Sequence, residues 1–192
     1  MPSEDGFGRI LVPMRSTRTA QSGFTLIEMM VIVSIIGVLG TVVIPTFVKE
    51  SKRARYDSEV SAMFAELSER QDMYKSDNFK FHASAVCPAA VNDNGTATSG
   101  CLAAGSDWTK IKARPTIQKL RCTYQVSTGC PADVPAPPAG VSFNRGVQSW
   151  YFVVANCGTG GDAYTYFTSS TNPKIQKQKG TIAYTTLANC SL

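Results

Sequence analysis

The chain has 192 residues, room for one ordinary domain plus one membrane-length element. Its formal charge of +5 comes from 19 basic and 14 acidic residues, a mild excess that does not by itself mark a nucleic-acid-binding protein. One histidine, no CxxC pair, and no P-loop, GxSxG or EF-hand pattern leave the common hydrolase, nucleotide, zinc and calcium chemistries without their residues; no cofactor and no metal are expected.

Residues 1–23 are short and basic, with Arg9, Arg15 and Arg18 against Glu4 and Asp5. Met14 offers a second start, giving the ten-residue leader MRSTRTAQSG. A secretory signal places its apolar region before a small-x-small cleavage site. Here the apolar run is followed by Pro45-Thr46-Phe47-Val48-Lys49, with no such site. Cleavage before the run, at Gly23, leaves the apolar segment on the mature protein.

Residues 24–48 contain one charge, Glu28. As a helix they reach about 37 Å, enough to cross a hydrocarbon layer of about 30 Å. Arg15 and Arg18 hold the N-terminus in the cytoplasm and put everything after Val48 outside. A carboxylate inside such a span costs roughly 2.5–3.5 kcal/mol, so Glu28 is a functional residue by default. Gly37 and Gly40 allow close helix approach or local unwinding, and Pro45 has no N–H for the Thr41 carbonyl; the three mark a place for a helix to kink or melt.

The helix is expected to continue to about Lys75. Larger apolar residues at 56, 60, 63, 64, 67 and 74 keep helical spacing, with Glu50, Asp57, Glu59, Glu66, Glu69 and Asp72 on the other faces. A stripe of this kind needs a sheet to cover it. Residues 76–118 read as irregular, with a turn at Asn92-Asp93-Asn94-Gly95. Strands are expected at 120–127 (LRCTYQVS), 148–156 (QSWYFVVAN), 163–168 (AYTYFT) and 181–186 (TIAYTT). Residues 158–162 form a hairpin loop between the second and third, and 131–140 (PADVPAPPAG) a stiff link between the first two. The fold class is α+β: a long N-terminal helix packed on a small antiparallel sheet.

Six cysteines, at 87, 101, 122, 130, 157 and 190, all lie beyond the apolar run. An even number outside the membrane points to disulfides, and of the fifteen connectivities the sequential one is expected: Cys87–Cys101, Cys122–Cys130 and Cys157–Cys190. Lys110, Lys112 and Arg114 alternate with Ile111 and Ala113, as Lys177 and Lys179 flank Gln178. In extended chain each set shares a face. The simpler reading is a charge-guarded strand edge; the alternative is a weak contact for an anionic partner, DNA or polysaccharide. His82, in the loop Phe79-Lys80-Phe81-His82, has no nucleophile or metal partner identifiable in sequence.

Gly23, Phe24 and Glu28 (GFTLIE), after a basic leader and before an uncharged run containing Pro45, resemble the N-terminal signature of type IV pilins and type II secretion pseudopilins. The resemblance implies that a prepilin peptidase cuts after Gly23 and that Phe24 is N-methylated. It implies that Glu28 serves filament assembly and that residues 24–48 form an inner-membrane anchor and then the filament core. Residues 49–75 would be the amphipathic continuation, and 76–192 a disulfide-bonded, β-rich head outside the cytoplasm. The partners implied are other pilin subunits, the peptidase and the inner membrane, and the destination is a cell-surface pilus for adhesion, motility or DNA uptake. A secretion pseudopilin is the alternative within the family, although the lack of a calcium loop counts against its major members. A single-pass anchored binding module or enzyme is the alternative outside it.

Overall fold

The computed structural model describes residues 23–129 and 149–181, and the chain divides into two units, Met1–Ile44 and Pro45–Leu192. One helix, α1 (Leu26–Asn78), begins in the first unit and ends in the second.

In the first unit Thr25 starts the helix. Its carbonyl accepts from the Met29 N–H at 3.2 Å, and its Oγ1 accepts from the Glu28 N–H at 3.3 Å. The first is the opening i to i−4 bond of the helix, and the second occupies an N–H group that a helix start leaves open. Further along, the Ser34 hydroxyl donates to the Met30 carbonyl at 2.8 Å and Thr41 to Val38 at 2.7 Å. These polar side chains therefore ask nothing of the surroundings, as an apolar solvent requires. Gly37, Gly40 and Pro45 all lie inside the helix.

In the second unit α1 presents Tyr56, Val60, Met63, Phe64 and Leu67 at spacings of three and four. They are at most 3 % exposed and share one core with the sheet. The expected stripe is borne out through Leu67, while Tyr74 packs on the core only in part. Five antiparallel strands form the sheet in the order β1-β4-β5-β6-β7: β1 (Ser84–Cys87), β4 (Thr123–Gly129), β5 (Trp150–Cys157), β6 (Tyr164–Ser169) and β7 (Asn172–Lys179). A two-stranded ribbon, β2 (Thr96–Ala97) with β3 (Lys119–Leu120), lies beside it in the chain. The strand period of two divides the residues cleanly. Tyr124, Val126, Tyr151, Val153, Ala155 and Tyr166 join the α1 core, and Trp150, Phe152, Val154 and Phe167 form a second buried cluster on the opposite face.

Three of the expected strands exist, displaced by one to three residues at their ends. The fourth differs: Thr181 is outside any strand, 182–186 lie outside the described residues, and the strand that follows β6 is β7 (NPKIQKQK). Residues 131–140 also lie outside the described residues. The expected hairpin at 158–162 connects β5 to β6 and requires Gly158, which sits at φ +72°; a Cβ there would be 2.3 Å from the Asp162 carbonyl oxygen. The Asn92–Gly95 turn is present, closed by Gly95 N–H to the Asn92 carbonyl at 2.8 Å.

Two disulfides are described. Cys87–Cys101 agrees with the sequential pairing, but Cys122–Cys157 overturns Cys122–Cys130 and Cys157–Cys190. The reason is register. Pairing Thr123 with Asn156 brings Cys122 opposite Cys157, with Cα atoms 4.3 Å apart, close to the spacing of a non-hydrogen-bonded antiparallel pair. Cys130 and Cys190 lie outside the described residues.

The extended basic segment at 110–114 is also corrected. Ser106 caps a short helix, α2 (Asp107–Lys110), accepting the Thr109 N–H, and Lys112 turns the chain at φ +56°. Lys110 bonds Asp107 within that turn, and the Arg114 N–H donates to Glu66. The three cations do not share the face of a strand.

Candidate assembly segment

Gly23, Phe24, Glu28, Gly37, Gly40 and Pro45, expected from sequence to be functional, lie just before α1 or along its first half, and all but Gly40 are exposed. Fifteen large apolar side chains between Phe24 and Ile44 are exposed, Phe24 by 74 % and Leu26 by 78 %. An 18-residue window of the helix has a mean hydropathy of 2.5 with nothing buried. Withdrawing fifteen such side chains from water is worth on the order of 20 kcal/mol or more, at about 1.5 kcal/mol each. That exceeds the roughly 3 kcal/mol opposing insertion of Glu28 several-fold. The segment therefore belongs in a bilayer or a packed bundle, and Glu28 does not prevent either.

Glu28 lies in the first turn of α1, where a negative charge also meets the positive end of the helix dipole. Among the described residues its carboxylate has no hydrogen bond or ion pair. Gly23 and Gly37 have nothing within 4 Å of where a Cβ would stand, and at Gly40 the nearest atom is 4.0 Å away. The subunit's own packing thus gives no reason for glycine at these three positions.

The second unit carries polar clamps that hold α1 to the rest of the head, and these were not foreseen. Glu59, read from sequence as part of a solvated face, is 3 % exposed. Its carboxylate accepts the Arg121 N–H at 2.8 and 3.1 Å, the Cys122 N–H at 3.0 Å and the Tyr124 hydroxyl at 3.1 Å, with the Arg121 guanidinium at 3.7 Å. Burial and the Glu59 charge push the Tyr124 phenol up, so it stays a donor. Gln71, fully buried, pairs both amide atoms with the His82 backbone at 2.8 and 2.9 Å.

Near the start of the unit, Asp93 accepts from Lys52 at 2.8 Å and Tyr56 at 2.7 Å. Those two hydrogen bonds hold its carboxyl below the usual value. Asp57 receives Tyr166 and Lys177; burial alone would raise it, but the two donors outweigh burial and its value is also lowered. Each clamp joins a polar side chain of α1 to a partner 11 to 120 residues further along the chain, and no local signal names that partner.

His82 meets Asp107 through Nε2 at 3.2 Å, and the other Asp107 oxygen accepts the Ala85 N–H at 3.1 Å. The pair joins α2 to β1. Among the described residues no three His, Cys, Asp or Glu side chains gather to hold a metal ion.

Residues 18–44 match the model of the prokaryotic N-terminal methylation motif. Type II secretion system core protein G of Escherichia coli is 43 % identical over 68 residues, which is 35 % of this chain and 46 % of that protein. The proteins of the same name from Pseudomonas aeruginosa and Aeromonas hydrophila are 42 % and 41 % identical over 67 and 61 residues, covering 33 % and 32 % of this chain and 44 % and 42 % of theirs. The chain thus spans less than half the length of the curated relatives it matches. No solved structure matches.

Proposed function

We propose that this chain is a type IV pilin-like structural subunit, stored in the inner membrane through residues 24–48 and then assembled into a surface filament, a type IV pilus. The observation that carries the reading is the combination at the start of α1. The exposed apolar surface needs a bilayer or neighbouring helices, and the one charge on it has no partner among the described residues. Prepilin peptidase removes residues 1–23, and Phe24 is methylated. Gly23, with no described residue packed where a Cβ would stand, is kept for peptidase recognition, and Gly37 and Gly40 admit close helix neighbours. Around Gly37, Gly40 and Pro45 the helix gives way when the subunit leaves lipid for the filament.

In the filament core the freed amine of an adjacent subunit's Phe24 neutralises Glu28. Within one chain the two are separated by about 6 Å of helix rise, and another subunit's amine can approach without that limit. Intact-mass analysis of membrane and sheared-filament fractions tests this: the mature chain starts at Phe24 and carries one added methyl group. A mass that retains residues 1–23 would sink the reading.

The relatives favour a second reading, a subunit of a type II secretion pseudopilus, because each of the three carries that system's name. Deleting the gene separates them. A pilus subunit leaves the cell without filaments or with fewer of them, while a pseudopilin leaves secreted enzymes trapped inside.

A further inference from the structure

Immediately after the apolar run, the second unit contains a cavity of about 160 Å³ lined by Lys49, Lys52, Arg53, Tyr56, Asp162 and Tyr164, with Glu50, Asp93 and the 158–159 backbone completing it. That is well below the roughly 300 Å³ of a drug-sized site and suits a small polar group. Its charges are balanced but unequally engaged. Lys52 and Tyr56 are committed to Asp93, and Arg53 approaches Glu50 only to 3.7 Å while lying 5.6 Å above the Tyr164 ring. Among the described residues the Lys49 ammonium and the Asp162 carboxylate make no hydrogen bond or ion pair. One exposed cation and one exposed anion outside these pairs, the anion also within the field of Lys52, therefore border the same small cavity.

Its height along the chain adds a constraint. Arg53 is five residues beyond Val48, the last residue of the apolar run, or about 7–8 Å of helix rise. The polar band on each side of a bilayer is about 5–8 Å deep, half the difference between a total thickness of about 40–45 Å and a core of about 30 Å. In the membrane-stored subunit the cavity sits where headgroups are.

We propose that this cavity binds the zwitterionic headgroup of a phosphatidylethanolamine-type lipid, the phosphate between Lys49 and Arg53 and the primary ammonium against Asp162. The site rests on the membrane-stored reading above. A phosphate alone meets Asp162 unfavourably, and a choline headgroup carries no N–H to donate to it. Tyr164 and Thr159 are also among the residues that line it.

Native mass spectrometry of the full chain in detergent tests this against phosphatidylethanolamine, phosphatidylcholine and phosphatidylglycerol with matched acyl chains. Phosphatidylethanolamine is expected to bind about tenfold better than phosphatidylcholine, the worth of one charge-assisted hydrogen bond of about 1.4 kcal/mol. Asp162→Asn should bring the two within about twofold, and Lys49→Ala combined with Arg53→Ala should lose both, with the thermal midpoint of the head unchanged. Equal binding of all three lipids by the unaltered chain would reduce the effect to an acyl-chain belt and overturn the site. Preference for phosphatidylglycerol, strengthened by Asp162→Asn, would make it an anion site and overturn the zwitterion. Glycerophosphoethanolamine, the headgroup without acyl chains, reports the cavity whether or not the chain is a membrane subunit. Failure to bind it overturns the cavity, whereas a retained leader overturns the membrane-stored reading instead.

Discussion

Glu59 is the residue on which the attachment of α1 to the head depends most. Its two oxygens receive two backbone N–H groups, a phenol and a guanidinium from the segment that leads into β4. Glu59→Gln can keep Oε1 as acceptor for the two backbone N–H groups and the phenol, but it removes the charge and sets a buried amide N–H₂ where Oε2 met the Arg121 N–H and guanidinium. The expected loss is about 3 kcal/mol, read as a lower urea midpoint of the head. The outer carboxylates predict a pH dependence of known sign. Asp57, Asp93 and Asp107 are all lowered in the folded state, so the stability they provide is present above the unfolded value near 4 and is lost as pH falls through that value toward the folded ones. Urea midpoints should stay level from about pH 7 to 5 and decline below about 4, with Asp93→Asn showing a shallower decline. Retention of the full slope in that variant would place the titration elsewhere.

Among the elements, the β4–β5 pair is the most constrained. It carries the Cys122–Cys157 bridge at one end and the Gly129–Trp150 pair at the other. A Cβ on Gly129 would stand 1.9 Å from the Trp150 ring, so Gly129→Ala must displace a fully buried indole and should cost several kcal/mol, about 2–4, in the thermal unfolding of the head. Non-reducing peptide mapping should recover Cys87–Cys101 and Cys122–Cys157 from exported protein. Recovery of Cys122 joined to Cys130 would contradict the register itself.

How far these elements were legible follows from what each one needs. The α1 stripe and the strands β4, β5 and β6 are written in apolar periodicity and in Tyr, Phe and Val content. β7 is not, because NPKIQKQK earns its place by backbone pairing with β6 rather than by burying side chains. The turn of α2 overrode the alternating cations because Ser106-Asp107 supplies an N-cap and first-turn acid, a local signal that was present and not used. Gly23, Phe24 and Glu28 were readable because their motif is contiguous. The Glu59 clamp was not, since its meaning depends on two N–H groups more than sixty residues later.

For the whole molecule, the proposed assembly role of Glu28 predicts that insertion and incorporation part ways when it is replaced. Glu28→Leu removes the group that opposes insertion, so membrane levels should equal or exceed those of the unaltered chain while the share in sheared filaments falls at least several-fold. Glu28→Gln should behave likewise, since it keeps size and loses charge. Comparing the membrane pool with the filament fraction decides it: normal incorporation of the leucine variant among unaltered subunits would remove the ion pair as the recruiting contact. For a subunit at the filament tip the comparison is read with its position known, because a first subunit has one neighbour fewer.

The clamps on α1 also set an order of events during export. Asp57 waits for Tyr166 and Lys177, 109 and 120 residues downstream, and Glu59 for Arg121 and Tyr124. In a chain that emerges N-terminus first, the amphipathic half of the helix reaches the outside before most of its cover. Phe81, Trp108, Ile111 and Ala113 can reach the core around its Val60–Leu67 face first, and the remainder is closed only when β4, β5 and β6 follow. Each newly exported subunit therefore passes through a sticky interval, and the cell must shorten or shield that interval if subunits are to reach the filament singly.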